Sequence, residues 1–73
     1  MRDEAKYVFD TIVEYINTNG YSPSVRELCE LTGKNSPATI HYHLKRLKEQ
    51  GYITYNEKKS RTIRIIRENY YGI

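Results

Sequence analysis

Glycine and proline punctuation constrains this chain more than any other feature. Gly20, Gly33 and Gly51 each follow an amphipathic stretch, and Pro23 and Pro37 stand at the entry to the next one. The segments between them are too short for long helices and too patterned for disorder. From Asp3 or Glu4 to about Thr18, the residues Ala5, Val8, Phe9, Ile12 and Ile16 form one stripe at helical spacing. Asp3 and Glu4 suit the positive end of the helix dipole, and Gly20 supplies the stop. Pro23 keeps Ser22 out of helical angles, and Ser24-Val25-Arg26-Glu27 then reads as a capping box, with Ser24 as N-cap. The second helix buries Val25, Leu28 and Leu31 and stops near Thr32-Gly33. At about two turns it is too short to persist alone in water, so packing must hold it.

A third helix begins at Ser36-Pro37, an N-cap followed by proline at the first helical position, and runs to about Gln50. Ile40, Leu44 and Leu47 are its buried stripe. Beyond Gly51, Tyr52-Ile53-Thr54-Tyr55 and Thr62-Ile63-Arg64-Ile65-Ile66 are rich in β-branched and aromatic residues. The polar stretch from Asn56 to Arg61 separates them, which predicts an antiparallel hairpin with a basic tip. A lone hairpin is marginal, so this one must rest on the helices. The predicted fold is mainly α with a small β-hairpin: a winged helix-turn-helix of three helices and a two-stranded wing. Residues 1–66 form one domain and 67–73 a loosely held tail. With 73 residues the chain buries only about 60% of its unfolded surface, so its stability margin is thin.

Composition narrows the function. The single cysteine, Cys29, rules out an internal disulfide or a cysteine-rich zinc site, and its place before Gly33 suits a close approach of two helices. No apolar run nears the roughly 20 residues of a membrane span, and the N-terminus lacks the apolar stretch of a signal peptide. A cytoplasmic protein is expected, with no membrane partner, cofactor or small-molecule ligand. His41 and His43 lie about 200° apart on a helix and do not share a metal ion. His43 flanks the apolar stripe and reads as a core-edge residue. Neither histidine pairs with a buried Cys29, so no catalytic group is expected. The net charge of +3 is unevenly spread: residues 1–33 carry three bases and six acids, whereas residues 34–73 carry nine bases and three acids. A basic half of this kind suits a polyanion, because lysine and arginine displace counterions condensed on phosphate.

Two short helices joined by a glycine-containing turn, followed by a hairpin, form a helix-turn-helix arrangement. With Ile40 facing inward and about 100° per residue, Ala38, Tyr42 and Lys45 point outward, and Thr39, His41 and Arg46 lie at the edges. No acid interrupts this face until Glu49. Recognition helices place their N-terminal residues on base edges and their bases on phosphate. Thr39 suits a thymine methyl or a base edge, and His41 and Tyr42 suit hydrogen bonding or stacking. Lys45 and Arg46 suit guanine or phosphate, and Lys58, Lys59 and Arg61 on the wing tip suit phosphate. The eight tyrosines permit single-strand stacking, but Tyr7, Tyr15 and Tyr52 read more simply as cover for the core.

Several runs together resemble the LexA repressor family. Gly20-Tyr21-Ser22-Pro23-Ser24-Val25-Arg26-Glu27-Leu28 is similar to that family's entry into its second helix. Gly33, Ser36 and Thr39-Ile40-His41-Tyr42-His43-Leu44-Lys45-Arg46-Leu47 resemble its recognition helix, and Gly51-Tyr52-Ile53 with Ser60-Arg61-Thr62-Ile63-Arg64 resembles its wing. The likeness covers roughly residues 7–66. It implies a palindromic double-stranded operator bound by a homodimer, one recognition helix per half-site, before DNA-repair genes. It also implies repression that ends when RecA filaments stimulate self-cleavage.

The family's base-reading positions fall on Ser36, Ala38, Thr39, His41 and Tyr42. Its backbone contacts fall near Ser24 and along the wing. With the neighbouring bases and polar groups, the backbone set becomes Ser24, Lys34, Asn35, Lys45, Arg46, Lys58, Lys59, Ser60 and Arg61. Tyr42 departs from the smaller or acidic residues associated with its position. The family's Ser–Lys peptidase domain has no counterpart in these residues, so this chain is expected to be an excised domain or a free-standing relative. Tyr70-Tyr71-Gly72-Ile73 does not look like a flexible linker, which leaves the second option open. Two further readings fit the same layout: a winged-helix protein-interaction module, and a replication or plasmid-type DNA-binding protein.

Overall fold

Three helices precede a two-stranded hairpin in the computed structural model, which describes residues 4–34 and 36–67. The helices are α1 (Glu4–Asn19), α2 (Val25–Thr32) and α3 (Pro37–Glu49), and the strands are β1 (Ile53–Thr54) and β2 (Arg64–Ile65). The winged helix-turn-helix expected from the sequence is the observed architecture. Each helix packs on the other two, and β1 lies against α3. Their apolar stripes meet in one core of Val8, Phe9, Ile12, Leu28, Ile40, Leu44, Leu47, Tyr52, Ile53 and Ile63, closed at one edge by Ala5. The Phe9 and Tyr52 rings meet edge to face at 5.7 Å, joining α1 to the start of the wing.

The helix ends obey the local signals. Ser24 Oγ accepts from the Glu27 amide at 3.1 Å and Glu27 Oε1 accepts from the Ser24 amide at 2.9 Å, a complete capping box. The exit of α3 matters most for the wing. Gly51 takes φ +84, a left-handed angle that a Cβ disfavours. The Tyr52 amide then donates to the Leu47 carbonyl and the Gly51 amide to the Lys48 carbonyl, both at 3.0 Å. These paired bonds form a Schellman motif, with Leu47 and Tyr52 as its apolar contact inside the core. The turn that ends α3 thereby aims the chain directly into β1.

Four expectations need correction. Leu31 is 51% exposed, because Thr32 takes the inward place instead. Thr32 tolerates burial by donating its hydroxyl to the Leu28 carbonyl at 2.6 Å. Tyr7, expected to cover the core, is exposed on the outer side of α1. Cys29 is half-buried at the edge of the core, not enclosed between helices.

The strands are also shorter than the four and five residues expected, with only Ile53–Ile65 and Thr54–Arg64 paired. The reason lies in the side chains. Thr62 Oγ1 accepts from the Asn56 amide at 2.9 Å to close the wing tip. The Ile63 amide donates to Ser22 Oγ at 3.1 Å instead of to the opposite strand. Past the ladder, the Ile66 and Arg67 amides share the Tyr52 carbonyl at 2.8 and 3.2 Å. Arg67 is thus tied back to Tyr52, just before β1, while the remainder of the expected tail, residues 68–73, lies outside the described residues.

Candidate nucleic-acid interface

The outward face of α3 is built as the helical wheel requires. Ile40, Leu44 and Leu47 anchor one side in the core, which leaves Ala38, Thr39, His41, Tyr42 and Lys45 exposed on the other. Ser36 stands at the N-cap position, yet its hydroxyl makes no capping bond; its carbonyl accepts from the Thr39 amide at 3.1 Å. The first turn contains no acid. Tyr42 is the most prominent group on the face, 57% exposed, with the Arg46 guanidinium 5.8 Å from its ring centre. Arg46 itself is half-buried, and the half-buried His43 meets Tyr42 edge to face at 5.4 Å.

A groove of about 530 Å³ runs between this helix, the start of α2 and the wing. His41 and Leu44 form its α3 wall, Ser24 and Arg26 its α2 wall, and residues 55–63 its far side. Lys58 and Lys59 are exposed at the tip, where the Asn56 side chain accepts from the Lys58 amide at 2.9 Å and fixes the turn. Ser60 is exposed beside them. The wing's base is clamped to α3: Lys48 Nζ donates to the Tyr55 carbonyl at 3.1 Å and sits 4.6 Å above the Tyr55 ring centre.

Not every expected contact residue is placed alike. Lys34 is paired with Glu4, tying the connection before α3 to the start of α1. Asn35 lies outside the described residues. Ser24 is half-buried, with its hydroxyl oxygen already accepting the cap bond. Arg61 turns back onto the protein, with Nη1 2.8 Å from Glu27 Oε1 and Nη2 3.0 Å from Glu27 Oε2. Two residues here lie outside the set that the sequence points to. Arg26 projects from α2 into the groove, a position its place opposite Leu28 on the wheel would have indicated. The local sequence marks Glu27 only as a cap, and nothing in it signals the pairing with Arg61, 34 residues away.

Glu27 has an acidity to match its partners. The Arg61 guanidinium first, and then the Ser24 amide, hold its carboxyl down to about 2 from the ordinary 4.5, with the Tyr15 hydroxyl adding to the effect. A carboxyl depressed in this way stabilises the fold fully above pH 4.5, and that contribution fades as pH falls through about 2. The melting temperatures of wild type and Glu27→Gln should therefore differ at neutral pH and converge between pH 4.5 and 2. A constant gap across that window would contradict the pairing.

Among the described residues, no group of three or more histidine, cysteine, aspartate or glutamate side chains is placed to hold a metal ion, and no helix is long and apolar enough to cross a membrane. What the geometry defines is the winged helix-turn-helix class, with an outward face on its third helix that is free of acid until Glu49 and a wing with two lysines at its tip across a groove. The family described as the LexA DNA binding domain matches residues 3–62, and the chain belongs to that family. The LexA repressor of Carboxydothermus hydrogenoformans is 40% identical over 65 residues, covering 89% of this chain and 32% of that protein. The LexA repressor of Desulfatibacillum aliphaticivorans is 43% identical over 67 residues, covering 92% and 33%. That of Staphylococcus epidermidis is 46% identical over 61 residues, covering 84% and 30%. The chain spans about a third of the length of the curated relatives it matches.

Proposed function

We propose that this chain is the operator-reading module of a transcriptional repressor, with the N-terminal turns of α3 seated in the major groove of duplex DNA. The observation that carries this reading is the exposed face of α3, free of acid from Pro37 to Lys48, beside a wing whose tip carries Lys58 and Lys59, in a chain of the LexA DNA-binding family. In this arrangement Ser36, Ala38, Thr39, His41 and Tyr42 face the bases. Lys45, Arg46, Lys58, Lys59 and Ser60, with Arg26 and the Ser24 backbone at the start of α2, lie along the phosphates. Lys34, in the connection before α3, lies near the DNA backbone where α3 enters, and Asn35 is assigned to the same backbone from its place in the sequence. Phosphate contacts set register and affinity, and base contacts set sequence preference.

The target is a palindromic operator occupied by two copies, one α3 per half-site, since half-site symmetry mirrors protein symmetry in this class. The module acts in the bacterial cytoplasm, on the nucleoid, and the genes it governs belong to the response to DNA damage. It performs no chemistry itself. The test is an NMR titration with a palindromic duplex, followed at the amides of residues 36–46 and 57–62. Shifts concentrated in those two segments support the reading, and spectra that stay unmoved in excess duplex overturn it.

A further inference from the structure

Arg61 differs from the basic residues beside it on the wing. Its guanidinium engages Glu27 through both Nη nitrogens, a forked geometry that lysine does not reproduce. Nη1 also donates to the Ser22 carbonyl at 3.3 Å, and the guanidinium carbon lies 5.3 Å from the Tyr21 ring centre. Tyr15, from α1, donates to the same Glu27 carboxylate at 3.1 Å. The backbone of Arg61 is left-handed at φ +56, whereas the other positive angles among the described residues belong to glycines. A side-chain-bearing residue keeps such a conformation only where its surroundings hold it there.

The wing needs such a hold. Its ladder has two residue pairs, and a hairpin that short does not set its own position. Its returning arm is tethered at two points, by Arg61 to Glu27 in the first turn of α2 and to Ser22 in the α1–α2 connection, and by the Ile63 amide to Ser22 Oγ. Glu27 presents the contrary feature. A carboxylate near the start of α2, beside the groove, repels phosphate, so simple electrostatics makes its removal favourable to DNA binding.

We propose that Glu27 and Arg61 are positioning residues whose ion pair sets the wing against the start of α2, and so sets where Lys58 and Lys59 meet the DNA backbone. The inference rests on the DNA-binding reading above. Arg61 keeps its charge for Glu27 and serves the DNA through the two lysines.

Glu27→Gln separates the two effects, because glutamine preserves the capping box and α2 should still form. Loss of a repelling charge alone tightens duplex binding. Loss of the wing's position weakens it, by roughly tenfold at low salt, with a plot of log affinity against log salt shallower by up to about 1.8 as two phosphate contacts go. Hydrogen exchange reports the wing directly: the Ile63 amide should exchange at least about tenfold faster in Glu27→Gln, while Leu44 in α3 is unchanged. On a Lys58→Gln, Lys59→Gln background, Glu27→Gln should weaken binding no further.

Unchanged Ile63 protection, tighter binding, or further weakening on that background would each overturn the proposal. Wild-type chain that binds no duplex in the same titration would sink the DNA reading instead. The Ile63 exchange would then still decide whether the pair holds the wing.

Discussion

Phe9→Ala should lower the melting temperature by more than ~12 °C, the largest loss expected from any single truncation in the chain. Phe9 is 1% exposed and meets Tyr52 edge to face, so its removal opens the point where α1, α3 and the wing converge. Truncating a buried phenylalanine costs about 3–5 kcal/mol through lost transfer energy and the cavity left behind. A domain of this size is stable by only about 4–11 kcal/mol, so the substitution removes a large share of the total. Ile66→Ala is the matched control, since Ile66 is 59% exposed and its truncation should fall within about 0.5 kcal/mol of wild type. Thermal melts followed by circular dichroism decide the matter. Equal shifts in the two variants would mean that the core is not centred on Phe9.

The second large effect concerns DNA. Thr39→Ala and His41→Ala should each lower affinity for a preferred duplex by about 1–3 kcal/mol and leave affinity for random duplex nearly unchanged, because base contacts carry the sequence preference. Lys58→Gln with Lys59→Gln should weaken both duplexes alike and make the salt dependence shallower by about 1.8 logarithmic units per tenfold salt. Fluorescence anisotropy with both duplexes across a salt series separates the patterns. If all these variants lost the same factor on both duplexes, the assignment of α3 to the bases would fail.

The parts of this fold that were legible in the sequence are those where a local rule has one solution. Ser24 and Glu27 three residues apart specify a capping box, and the structure contains it. Gly51 after an amphipathic run specifies a helix stop, and the Schellman bonds are there. The wheel of α3 separated Ile40, Leu44 and Leu47 from Ala38, Thr39 and Tyr42, because a helix with one apolar stripe has one way to sit on a core.

What escaped the sequence depends on partners distant along the chain or on choices between near-equal neighbours. Thr32 displaced Leu31 from the interior because a hydroxyl on a helix can satisfy itself on the carbonyl four residues back. The strands are shorter than their propensities indicate because those of Thr62 and Ile63 say nothing of Ser22, whose hydroxyl takes the Ile63 amide from the ladder. The pairing of Arg61 with Glu27 is invisible in the sequence because charge alone does not reveal which carboxylate lies within reach.

The division of labour on α3 bears on how such a module diversifies. The side chains that lock it into the protein and those that look away from it share no member. Ala38, Thr39 and Tyr42 can therefore be exchanged over generations with scarcely any penalty in folding. On the base-facing role proposed for them, a lineage can drift to a new vocabulary of binding sequences while inheriting the same scaffold unchanged.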